Sequence, residues 1–105
     1  MKMKTIYLIP HSHYDVVWAF NKEDYLNINE TILTYAVDMI KNSGFKFLIE
    51  QTYPLEQLEK REPKFFSKVK EAISAGSIEI VDGCYIMPDL MIPSGETLVR
   101  EFLFG

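Results

Sequence analysis

Thr5-Ile6-Tyr7-Leu8-Ile9-Pro10-His11-Ser12-His13-Tyr14-Asp15-Val16-Val17-Trp18 opens the chain with an apolar run, a proline and a cluster of imidazoles and carboxylate. Thr5 to Ile9 is β-rich and apolar at successive positions, the pattern of a strand buried on both faces in a parallel sheet. Pro10 ends it. His11, His13 and Asp15 follow at i, i+2 and i+4, which in extended backbone puts the three side chains on one side. In parallel α/β folds the carboxyl ends of strands face the site. Two neutral imidazoles and a carboxylate there suit zinc and related divalent ions. The same pattern also fits a hydrogen-bonded core histidine or a polar loop. Trp18 offers an indole face for a sugar ring, or a core or rim aromatic.

Outward from this stretch, strand and helix signals alternate. Asn27 or Asn29 is placed to cap a helix running to about Asn42, with Ile32, Ala36, Met39 and Ile40 on its apolar face. Gly44 closes it. Phe45 to Ile49 reads as a second strand. Pro54 opens a helical turn carrying Leu55 and Leu58. Pro63 stands at the first position of a helix through Phe65, Phe66, Val69 and Ile73, which Gly76 ends. Ile78 to Val81 reads as a third strand. Ser94 caps a last helix, with Leu98, Val99, Phe102 and Leu103 on its expected buried face.

The order βα, βα, βα implies parallel strands joined by crossovers, hence an α/β fold. Three strands do not close a barrel, and the apolar faces ask for more partners than 105 residues supply. The expectation is a piece of a larger α/β domain; a small complete three-stranded domain is the alternative. The net charge of −4 disfavours nucleic acid, whose phosphates need a basic footprint. No apolar run approaches the roughly 18 residues of a membrane span. The basic start, Met1-Lys2-Met3-Lys4, precedes an apolar stretch shorter than the roughly 7–15 residues of a signal peptide. With one cysteine, Cys84, a reducing compartment is expected, and cytoplasmic residence with it.

Three blocks in order carry a resemblance. His11-Ser12-His13-Tyr14-Asp15-Val16-Val17-Trp18 resembles the His-x-His-x-Asp-x-x-Trp signature of glycoside hydrolase family 38 α-mannosidases. Phe47-Leu48-Ile49-Glu50-Gln51 resembles that family's second strand and its acidic end. Gly76 to Tyr85, then Pro88-Asp89, then Ser94-Gly95-Glu96-Thr97-Leu98-Val99-Arg100, follows its strand, glycine turn, Pro-Asp and Ser-Gly-Glu-x-x-x-Arg.

The resemblance implies three βα units of a seven-stranded parallel (β/α) barrel, residues 1–105 being the N-terminal part of the catalytic domain. It implies His13 and Asp15 as metal ligands, zinc as the usual ion, and Trp18 beneath the bound mannose. His11, Glu50 and Asp89 are implied supporting groups around the ligands. Glu96 and Arg100 match recurring polar positions read as structural, with Glu96 in a helix's first turn where the dipole favours a carboxylate. The implied reaction is retaining hydrolysis of α-mannosides. Its nucleophile and last histidine ligand fall beyond these residues, in the remainder of the catalytic domain, so the chain alone is expected to be inactive. Two alternatives stand beside this: a metal-dependent polysaccharide deacetylase, and a non-catalytic carbohydrate-binding remnant.

Overall fold

The computed structural model describes residues 3–105, except the side chain of Asp82; Met1-Lys2 of the basic start lies outside the described residues. The elements are α1 (Lys22–Ser43), β1 (Phe47–Gln51), α2 (Tyr53–Arg61), α3 (Pro63–Ser74), β2 (Ile78–Cys84) and α4 (Gly95–Phe104). β1 and β2 pair in parallel, Phe47 opposite Ile78 and Ile49 opposite Ile80, with α2 and α3 as the crossover. On the other side of β1, His11 forms a parallel bridge with Leu48, and the Leu48 amide donates to the Pro10 carbonyl at 3.0 Å. The chain is therefore α/β, as its alternation of signals implies.

The apolar run at residues 5–9 is not a strand. No strand is assigned there, and Ile6, Tyr7, Leu8 and Ile9 are exposed. The reason is register. His11 opposite Leu48 is an offset of 37 places, which would set Thr5 to Ile9 against residues 42–46. That stretch is the end of α1 and its left-handed Gly44 cap (φ 67°), which offers no ladder to pair with.

α1 also begins earlier than its apolar pattern suggests. Asn21, not Asn27 or Asn29, caps it, its Oδ1 accepting from the Asp24 amide at 2.9 Å. Asn29 sits inside the helix and is buried, while Asn27 accepts from Arg61 Nη2 at 2.6 Å. The buried face runs through Leu26, Leu33, Ala36 and Val37; Met39 is half exposed. Arg61 at the end of α2 clamps this helix, meeting Glu23, Asn27 and Glu30 on one of its faces.

Pro63 opens α3 and Ser94 caps α4, both as the local sequence dictates. The core gathers Leu33 and Val37 from α1, Leu55 and Leu58 from α2, Val69 and Ala72 from α3, and Ile78 from β2. α4 contributes nothing to it: Val99, Phe102 and Leu103 are exposed, contrary to their expected burial. That helix is held by polar contacts instead. Glu101 accepts from the amides of Tyr85 (backbone carbonyl, 2.9 Å) and Ile86 (Oε2, 2.7 Å) just after β2.

Candidate functional site

Residues 12–15 continue from the bridge at His11 without joining the sheet, and residues 16–20 bend away toward α1. Side chains fix this segment's path. Tyr14 is buried, and its hydroxyl donates to the Tyr25 carbonyl at 2.6 Å. The Tyr25 hydroxyl in turn accepts from the Ala19 amide at 3.0 Å, and the two rings meet edge to face. Gln51, at the end of β1 and only 4% exposed, donates through Nε2 to the Tyr14 carbonyl. Its Oε1 accepts from the Met87 amide at 3.0 Å. The carboxyl ends of β1 and β2 and the histidine segment are thereby tied together. They border an open groove lined by Tyr14, Asp15, Val17, Gln51 and Met87.

His13 and Asp15 come together at this rim, Nε2 to Oδ1 at 3.9 Å, with side chains 72% and 40% exposed. A nitrogen and an oxygen donor each about 2.0–2.2 Å from a tetrahedral ion stand roughly 3.3–3.5 Å apart. The pair stands about half an ångström wider than that, and an imidazole beside a carboxylate is a donor set that suits a divalent metal as two of its ligands. Among the described residues there is no group of three or more His, Cys, Asp or Glu that would complete it. His11 turns elsewhere, its Nδ1 2.9 Å from Glu50 Oε1. Trp18 stands 81% exposed within the bend. Asp89 folds back on its own loop, accepting from the Met91 amide at 3.1 Å through Oδ1. Glu96 and Arg100 pair with each other along α4 at 2.8 Å.

Glu50 stands out in the sequence as the acidic end of its strand; its neighbour Gln51 does not. The available signal was a polar amide closing an apolar strand, a position that calls for buried partners.

Burial pushes the Tyr14 phenol up to about 12, with Tyr53 and Tyr25 adding to the effect. The unfolded chain would then lose this proton near pH 10 while the native state keeps it. Stability contributed by Tyr14 is thus complete below pH 10 and is lost as pH rises toward 12. Unfolding free energies from urea melts at pH 9 and pH 12 should differ by an amount on the order of 1–2 kcal/mol attributable to this group. Tyr14→Phe should flatten that part of the profile; an unchanged slope would remove the assignment.

Residues 3–105 match the model of the glycosyl hydrolases family 38 N-terminal domain. Human alpha-mannosidase 2C1 is 32% identical over 102 residues, covering 96% of this chain and 10% of the relative. An alpha-mannosidase of Saccharomyces cerevisiae is 30% identical over 105 residues, covering 98% of this chain and again 10% of the relative. The crystal structure of an alpha-mannosidase from Enterococcus faecalis superposes with a TM-score of 0.80 at 28% identity, over 90% of this chain and 11% of that one. The chain spans about a tenth of the length of these relatives. With the family model matched over nearly every residue, the chain belongs to glycoside hydrolase family 38.

Proposed function

We propose that these residues form the first part of a retaining, metal-dependent α-mannosidase site, set at the carboxyl end of the opening units of a (β/α) barrel. The observation that carries the proposal is the approach of His13 and Asp15 at the end of a segment laid parallel to β1. The names of the relatives, all alpha-mannosidases, support the substrate class. Family membership also favours glycoside chemistry over the deacetylase alternative.

When bound, a divalent ion such as zinc would supply a template for sugar hydroxyls and offset developing charge. The chain's own residues have distinct tasks. His13 and Asp15 would hold the ion through Nε2 and Oδ1. Trp18 presents its exposed indole as the floor for the sugar ring. His11 and Glu50 fix each other beside β1, shaping the rim. Asp89 holds the turn after β2. Retention of configuration takes two carboxyl groups, a nucleophile and an acid, on opposite sides of the glycosidic bond. In this proposal both come from the remainder of the catalytic domain. Cytoplasmic residence belongs to the same proposal, with a low cysteine content, one in these 105 residues, in its favour.

The test has two arms on the purified 105-residue chain. Zinc titration should show one weak site per folded chain. An aryl α-mannoside should not be turned over. Absence of zinc binding by the folded chain would sink the metal assignment, and measurable mannoside turnover would sink the division of labour.

A further inference from the structure

We infer that Gln51 is the positioning residue of the metal-ligand pair: its buried amide sets the backbone between His13 and Asp15 and locks that backbone to the loop after β2. This rests on the reading of His13 and Asp15 as ligands. Residues 12–15 lie outside the sheet, so ladder hydrogen bonds do not orient the two side chains. The Tyr14 carbonyl, midway between them, is instead held by Gln51 Nε2, while the Tyr14 ring is held from the far side through Tyr25. The other end of the same amide takes the Met87 amide, so both polar ends of a side chain 4% exposed are satisfied across three segments.

The sheet itself is bent to make this possible. Ile49 lies opposite Ile80, but Gln51 lies opposite Cys84, so the register breaks over residues that include Gly83 at φ 69°. Such irregularities re-aim a side chain at the end of a ladder. Here the break carries the chain after β2 to where the Met87 amide meets Gln51. Outer partners that orient ligands usually change metal affinity by roughly 10–100-fold when removed. Gln51 acts one step further back, through the backbone, so the lower end of that range applies.

The experiment compares the chain with Gln51→Met, Gln51→Glu and His13→Ala. Methionine keeps the volume and removes both hydrogen bonds. Glutamate keeps the acceptor for Met87 and removes the donor to Tyr14. Zinc affinity is measured by calorimetry where circular dichroism shows each variant fully folded. The ligand-field absorption of bound cobalt(II) reports coordination geometry, which a purely structural role would leave unmoved in a folded variant. Both Gln51 variants should bind zinc about tenfold more weakly than the unaltered chain, with an altered cobalt spectrum.

If either folded Gln51 variant binds within twofold of the unaltered chain with the same spectrum, the inference fails. If neither variant folds, Gln51 is a structural residue and the inference fails too. His13→Ala separates this from the reading beneath it. An unaltered chain that binds no zinc, or His13→Ala binding as tightly as the unaltered chain, removes the metal site itself.

Discussion

On the proposed assignment, His13→Ala should lower the zinc affinity of the chain by about a hundredfold or more, while leaving its unfolding midpoint where it was. The first half follows from coordination. The proposed ion has two donors in this chain, Nε2 of His13 and Oδ1 of Asp15, 3.9 Å apart, and the variant removes one outright. Even partners that only orient a ligand are worth roughly 10–100-fold, so loss of a ligand sits at or above the top of that range. The second half follows from exposure. The His13 side chain is 72% exposed, and substitutions at such places usually change stability by less than about 0.5 kcal/mol.

Asp15→Asn should be milder, because the amide oxygen keeps the shape and loses only the charge. Calorimetry of zinc binding with parallel urea melts decides the matter. Equal affinity in His13→Ala, or a loss of affinity tracking a loss of fold, would dismantle the assignment.

The pair was legible because it is local. Residues two apart in extended chain face the same way, and that alone brings His13 and Asp15 within 3.9 Å. His11 shares that spacing, yet its imidazole meets Glu50, a partner 39 positions away that only the fold supplies. Gln51 was illegible for the same reason: its bond to Tyr14 spans 37 positions, and neither residue type announces it.

The caps are local as well. Pro63, Ser94 and Gly44 act on their own neighbourhoods and stand where their chemistry puts them. The start of α1 is equally local, since Asn21 accepts from the Asp24 amide with Glu23 and Asp24 in the first turn, but the apolar pattern from Ile32 onward draws the eye to the later asparagines. The apolar run at residues 5–9 and the apolar side of α4 share a third cause. Apolar pattern states a demand for cover; whether cover is supplied depends on partners, and here register and packing do not supply it.

That contrast between demanded and realised burial gives the largest expected effect on stability. Leu58 is 1% exposed and stands in α2, between α1 and α3, in a cluster with Leu33, Val37, Val69 and Ile78. Leu58→Ala removes its packed atoms and leaves a cavity that the surrounding helices fill only in part, at a cost of about 2–5 kcal/mol. A domain of this length has on the order of 5–15 kcal/mol in all. The variant therefore loses a large share of its stability, and its thermal midpoint falls by roughly 10 °C or more.

Leu103→Ala is the matched comparison: the same chemical change on α4, where the side chain is 73% exposed, costs less than about 0.5 kcal/mol. Urea melts of the two variants beside the unaltered chain check both values. Equal costs would mean that α4 is packed in solution and that the exposed apolar side is covered. A small cost at Leu58 would mean that the helices do not meet there. In that second case α2 would not back β1 where Gln51 sits, nor the groove beside Asp15, because α2 begins directly after Thr52, whose amide donates to the Cys84 carbonyl at the end of β2.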